Sequence, residues 1–170
     1  MACPCFHHLF AIKTREQELN EFESLDEDGR RLELRSSIRG FNKSLAEAAK
    51  NSGVTNFGKF QNFGYKGLYD GETAQDIKTR KNLGKNEDIL DHMGPTELAA
   101  NYFRITQTEE KLHKENIQGE SKANYTHFNV GKTVRKTMIE ISGTAPEDLP
   151  KPEKSIKQLE KEQKKLHKGK

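Results

Sequence analysis

Apolar residues return at steps of three and four along most of this chain, with charged or polar residues between them. Over residues 9–22 the apolar positions are Leu9, Ile12, Leu19 and Phe22, the pattern of an amphipathic helix. Residues 26–53 repeat it through Leu34, Ile38, Phe41, Leu45 and Ala48, with Asp26 or Asp28 placed to cap the start and Gly53 to stop it. These two helices are expected to form a hairpin. The character changes over 56–71, where Phe57, Phe60, Phe63, Tyr65 and Tyr69 alternate with Gly58, Gly64, Gly67 and Gly71. Such glycine density argues against a regular helix and predicts a connecting segment.

Helical spacing resumes in short pieces over 73–83 and 88–93, and Pro95 suits the first turn of the next helix. That helix carries Leu98, Tyr102, Ile105 and Leu112 to about residue 117, with a candidate break near Thr106. Ala123, Val130, Val134, Met138 and Ile141 mark another over 122–141, closed by Gly143. Pro146, Pro150 and Pro152 then predict an extended linker. Beyond it only Ile156, Leu159 and Leu166 interrupt lysines and glutamates, a thin seam that needs a partner surface. No segment alternates with period two. The expected fold is all-α: a small irregular helical domain over 9–145 with a Gly/aromatic-rich connecting segment, a proline-rich linker over 146–153 and a lysine-rich helical tail over 154–170.

Composition sharpens this picture in two places. Charged residues make up 32% of the 170 and apolar residues another 32%, so the core is thin and much of each helix is solvated. Lysine and arginine exceed aspartate and glutamate by only three, too few to imply a polyanion partner by themselves. The surplus is segregated, however: eight lysines stand against three glutamates after Pro150, the pattern of an arm that finds DNA or an acidic protein surface. No apolar run approaches a membrane span, no signal sequence opens the chain, and the two cysteines, Cys3 and Cys5, build no disulfide framework. A cytoplasmic protein is expected.

Candidate chemistry is mostly cationic. Cys3, Cys5, His7 and His8 lack the paired spacing of a structural zinc site, and no nucleophile motif or phosphate-binding glycine loop occurs. No enzyme, metal or cofactor is expected. Lys132, Arg135 and Lys136 project together from the 122–141 helix, opposite its apolar stripe, and Lys78, Arg80 and Lys81, with Lys85, form a second basic cluster. In the aromatic segment Tyr65 and Lys66 are the best candidates for stacking on a base and meeting a phosphate. The competing reading makes the five rings core, because a chain so poor in apolar residues has few to leave exposed; Tyr65 and Tyr69, with polar tips, are then the exceptions expected to be reached by solvent. Residues 96–112 also resemble a helix-turn-helix with its turn at 104–106, but Glu109, Glu110 and Glu115 would repel a phosphate backbone, which favours one long helix.

Several stretches together resemble one bacterial family. FAIKTREQEL at 10–19, FQNFGYKGLYDG at 60–71, ILDHMGPTELAANYFRITQTEEKL at 89–112, THFNVGKTVRKTMIEISGTAPEDLP at 126–150 and SIKQLE at 155–160 look like the damage-inducible protein D family, in the family's order. The resemblance implies a non-enzymatic factor of the DNA-damage (SOS) response, associated with a RecA-type recombinase and its filaments on single-stranded DNA. Family members carry a further amino-terminal domain of the phage antirepressor (BRO-like) kind. Residues 1–8, MACPCFHH, do not match what is expected there. They read as a disordered leader on a truncated frame. The expected partners are single-stranded DNA or the recombinase filament. The alternative is a helical scaffold that self-associates without binding DNA.

Overall fold

The computed structural model describes residues 25–168, and these are helical without a strand. The six α-helices are α1 (Glu27–Asn51), α2 (Phe57–Leu68), α3 (Ala74–Arg80), α4 (Pro95–Lys114), α5 (Glu120–Ser142) and α6 (Ile156–Lys168), with 3-10 turns at Ile89–His92 and Pro146–Asp148. The helix expected over 9–22, its hairpin with α1, and the cluster of Cys3, Cys5, His7 and His8 lie outside the described residues.

Local signals place most of the helix ends. The Asp26 carboxylate accepts the Gly29 amide at 2.7 Å, with Glu27 and Asp28 in the favourable first turn of α1. Thr73 and Asp76 form a reciprocal capping box on α3. Pro95 is the first residue of α4, and Gly143, at φ +71°, takes the left-handed position that ends α5.

Four helices make the body. Contacts along α1 and α4 advance together, from Arg31 with Met93 just before α4, through Phe41 with Tyr102, to Ser52 with Gly119 just beyond the two helices, so this pair is parallel. α2 and α5 are parallel by the same test, with Phe60 beside His127 and Leu68 beside Arg135. α5 returns against α4 and closes the bundle. Ile38, Leu45, Phe60, Leu68, Ile77, Met93, Leu98 and Ile105 are fully enclosed and form one core.

The aromatic, glycine-rich stretch corrects the sequence reading: it is a regular helix over Phe57–Leu68, capped by Asn56. Its glycines serve helix packing. A Cβ on Gly67 would lie 2.1 Å from the carbonyl oxygen of Phe128, and one on Gly131 would lie 2.6 Å from that of Gly64. α2 and α5 therefore meet backbone to backbone, and this contact outweighs the propensity cost of glycine. Phe60, Tyr65 and Tyr69 are core and Phe57 packs against it, while Phe63 is only partly buried and outside the cluster; Tyr65 and Tyr69, at 8% and 1% exposed, are therefore not the exceptions. α4 runs unbroken through 104–106, where Arg104 and Ile105 are buried, so the helix-turn-helix does not form. At the end of α5 the periodicity misleads, since Ile141 is 82% exposed.

The lysine-rich tail has a partner surface within its own chain. Ile156 and Leu159 are buried where α6 packs on α1 and the first 3-10 turn. Arg31, fully buried, donates from Nε to the Met93 carbonyl at 3.0 Å and from Nη2 to that of Lys154 at 2.8 Å, and Arg39 pairs with Glu160 at 2.6 Å. The tail is thus no free arm at its start; Leu166, 74% exposed, marks where its apolar seam leaves the body.

Candidate nucleic-acid interface

The close approach of α2 to α5 creates the best candidate surface. Because Gly67 and Gly131 bring the two backbones together, the last turn of α2 and the outer side of α5 leave an open groove of about 540 Å³ between them. Lys66 reaches it from α2; Lys132, Arg135 and Lys136 reach it from α5; Phe128 and Ile139 supply apolar floor, and Asp70 and Glu140 are its acidic members. Four of the nine residues singled out in the sequence are thereby gathered in one place.

They are not equally available. Lys132 is exposed. The Lys136 side chain is 76% exposed and only loosely paired with Glu140, at 3.7 Å. Lys66 is half-buried, its ammonium 5.8 Å from the centre of the Phe63 ring. Arg135 is engaged: both its Nη atoms meet the Glu147 carboxylate, one at 2.6 Å, and Nη1 also donates to the Leu68 carbonyl at 3.2 Å. Hydrogen bonding to Glu147 raises the Arg135 pKa, and Arg135 in turn holds Glu147 below the usual carboxylate range against the opposing effect of burial.

The other five lie elsewhere, each for a visible reason. Arg80 is clasped by Glu72 through contacts of 2.9 to 3.0 Å and lies 5.7 Å from the Tyr69 ring. The Lys81 ammonium is buried against Glu97 at 2.8 Å. The Lys78 ammonium donates to the Lys85 carbonyl at 2.8 Å and shares a separate shallow depression with Tyr65, Lys85 and Lys157. The Tyr65 ring is covered by the Arg104 guanidinium at 4.8 Å, which leaves no open face for a base.

Behind the groove runs a buried polar chain that the sequence reading missed. Lys81 pairs with Glu97, which accepts the Tyr69 hydroxyl at 2.9 Å; Asn101 donates to that hydroxyl oxygen at 2.9 Å and accepts from Arg104 at 3.1 Å. Arg104 then donates to Nε2 of His127, whose Nδ1–H donates to the Phe60 carbonyl at 3.0 Å, which sets the tautomer. Burial, and after it the Arg104 charge, hold His127 well below its ordinary pKa; burial and Glu97 push Tyr69 well above its own. One signal was available: Glu97, Asn101, Arg104 and Thr108 share one face at helical spacing, beside Leu98, Ile105 and Leu112. The chain is enclosed, so it organises the core and presents nothing to a substrate. Among the described residues no three His, Cys, Asp or Glu side chains stand where they could hold a metal ion, and no helix is long and apolar enough to cross a membrane.

Residues 25–159 match a family model described as the DinD C-terminal domain. DNA damage-inducible protein D of Escherichia coli (strain K12) is 55% identical over 157 residues, which cover 89% of this chain and 57% of that protein. The chain therefore spans a little over half the length of this relative.

Proposed function

The chain belongs to the DinD C-terminal domain family, and from that premise we propose that it acts in the DNA-damage response of the bacterial cytoplasm as a non-catalytic module that binds the phosphate backbone of single-stranded DNA, bare or within a recombinase filament. The observation that carries the reading is the groove between α2 and α5, where Lys66, Lys132 and Lys136 converge from two helices beside an apolar floor. Phosphates need no sequence-reading group, and long lysines on a shallow surface suit a flexible single strand better than a rigid duplex groove. The relative's name points to the same response.

Fluorescence anisotropy with a labelled single-stranded oligonucleotide of mixed sequence, titrated across salt concentrations, tests this. Replacing Lys66, Lys132 and Lys136 together by Gln removes three contacts, and the slope of log affinity against log salt is expected to flatten by about two, at roughly 0.7 per contact. A parent protein with no salt-dependent binding, or a triple variant that binds like it, overturns the reading.

A second reading is favoured by a separate face. Phe103 on α4 and Tyr125 and Ile141 on α5 are 52%, 63% and 82% exposed, and the stripe joining the last two, through Asn129, Thr133 and Thr137, carries no charge. An uncharged strip on so charged a molecule suits a scaffold that self-associates. Sedimentation that shifts with protein concentration and is indifferent to salt, without DNA binding, is its signature.

A further inference from the structure

Glu147 occupies both Nη atoms of Arg135, one of the cations that line the groove. The left-handed turn at Gly143 reverses the chain at the end of α5, so that Pro146–Asp148 lies back along the helix and delivers Glu147 to Arg135. The carboxylate takes both Nη atoms of the guanidinium, the two-point grip with which arginine holds two phosphate oxygens. The turn is fastened by main chain as well, since Pro146 is buried and Arg80 donates to the Glu147 carbonyl at 3.3 Å. With Nη1 also donating to Leu68, Arg135 lines the groove beside Lys132 and Lys136 yet has no free fork to offer.

We propose that Glu147 is a built-in competitor for the groove, a latch that keeps Arg135 out of contact with a nucleic-acid backbone until residues 144–150 are drawn away. This rests on the phosphate-binding reading above. In the latched state the lysines alone meet phosphates, and affinity is held below what the groove's full set of cations could give. Opening the latch adds a fourth contact, and that contact is bidentate. The Glu147 side chain is 23% exposed and the 3-10 turn is short, so its carboxylate has solvent to move into once released.

The full chain is used for the test, with the same labelled single strand and four proteins: parent, Glu147→Gln, Arg135→Gln and the double variant. Glu147→Gln is expected to bind about fivefold more tightly at about 0.1 M salt, with a salt slope steeper by roughly 0.7, the value of one added contact. Arg135→Gln leaves Glu147 as an unpaired anion beside the groove and is expected to bind more weakly than the parent. The double variant replaces the pair by two neutral amides and is expected to return to the parental affinity and slope. Thermal melts check that each protein is folded. Should the Glu147→Gln protein melt early, the comparison of parent, Arg135→Gln and the double variant still decides, since a pair that merely pins the turn predicts no recovery of binding in the double variant. Glu147→Gln binding at or below the parental affinity while folded overturns the latch. If the three-lysine variant weakens binding and Glu147→Gln does not strengthen it, the latch alone fails; if none of these proteins binds in a salt-dependent way, the groove reading fails with it.

Discussion

His127 shows how one side chain ties stability to acidity. It is fully buried, donates to Phe60 and accepts from Arg104, so its neutral form is the one the fold accommodates. Its native pKa lies well below 6.5, while in the unfolded chain it regains the ordinary value. Between those two values the unfolded state binds the proton and the native state does not, so stability falls as pH falls below about 6.5, approaching roughly 1.4 kcal/mol per unit. Urea unfolding of the parent and of His127→Gln at about pH 7.5 and about pH 5.5 checks this. The parent is expected to lose about 1 kcal/mol more than the variant over that interval. Equal losses would mean that His127 is not buried in its neutral form. His92, whose pKa is also lowered by burial, contributes to both proteins and cancels in the comparison.

At the scale of elements, the contact between α2 and α5 decides whether the groove exists. Gly67 faces backbone atoms of α5, and those cannot swing aside as a flexible side chain could. Gly67→Ala is expected to cost about 3 kcal/mol, the upper part of the usual range for overpacking, and to loosen the groove with it. Gly58 is the control within the same helix. Its added Cβ meets only the Asn56 Oδ1, at 3.6 Å, so Gly58→Ala is expected to be neutral or to stabilise by about 0.5 kcal/mol. Denaturant melts of the two variants measure both, and a Gly67→Ala protein as stable as Gly58→Ala would show that the helices do not meet backbone to backbone.

For the whole molecule, the two ends of the described chain are fastened together. Arg31 near the start of α1 holds the Lys154 carbonyl, Arg35 meets Asp88 and Asp91 at 2.7 Å each, and α6 closes over this seam with Ile156 and Leu159. The proline-rich segment therefore does not decouple the tail from the body, and most of the basic tail is presented from a docked helix. Ile156→Ala is expected to destabilise the entire fold by about 2 to 5 kcal/mol in a single urea transition, as large-to-small changes in cores do, while Leu166→Ala, at an exposed position, is expected to leave it unchanged. A separate early transition confined to the tail would restore the mobile-arm reading.

The sequence by itself determined the all-helical class, most helix ends, the single core and the basic character of α5. These depend on signals within a few residues: Asp26, Thr73 with Asp76, Pro95 and Gly143 act on their own turns, and the three-and-four spacing of Ile38, Leu45 and Ala48 needs no distant partner. Only the tertiary structure decided which of those groups are free. Glycines that weaken an isolated helix become the reason α2 forms, because Gly64 and Gly67 meet Gly131 across the bundle. Lys81 and Arg135 look like surface cations in a linear pattern, yet one is buried against Glu97 and the other is gripped by Glu147. Tyr65 looks like a stacking platform until Arg104 covers it. In each case the deciding atom comes from another helix or a returning turn, and the geometry that brings it there is set by how closely two backbones can approach.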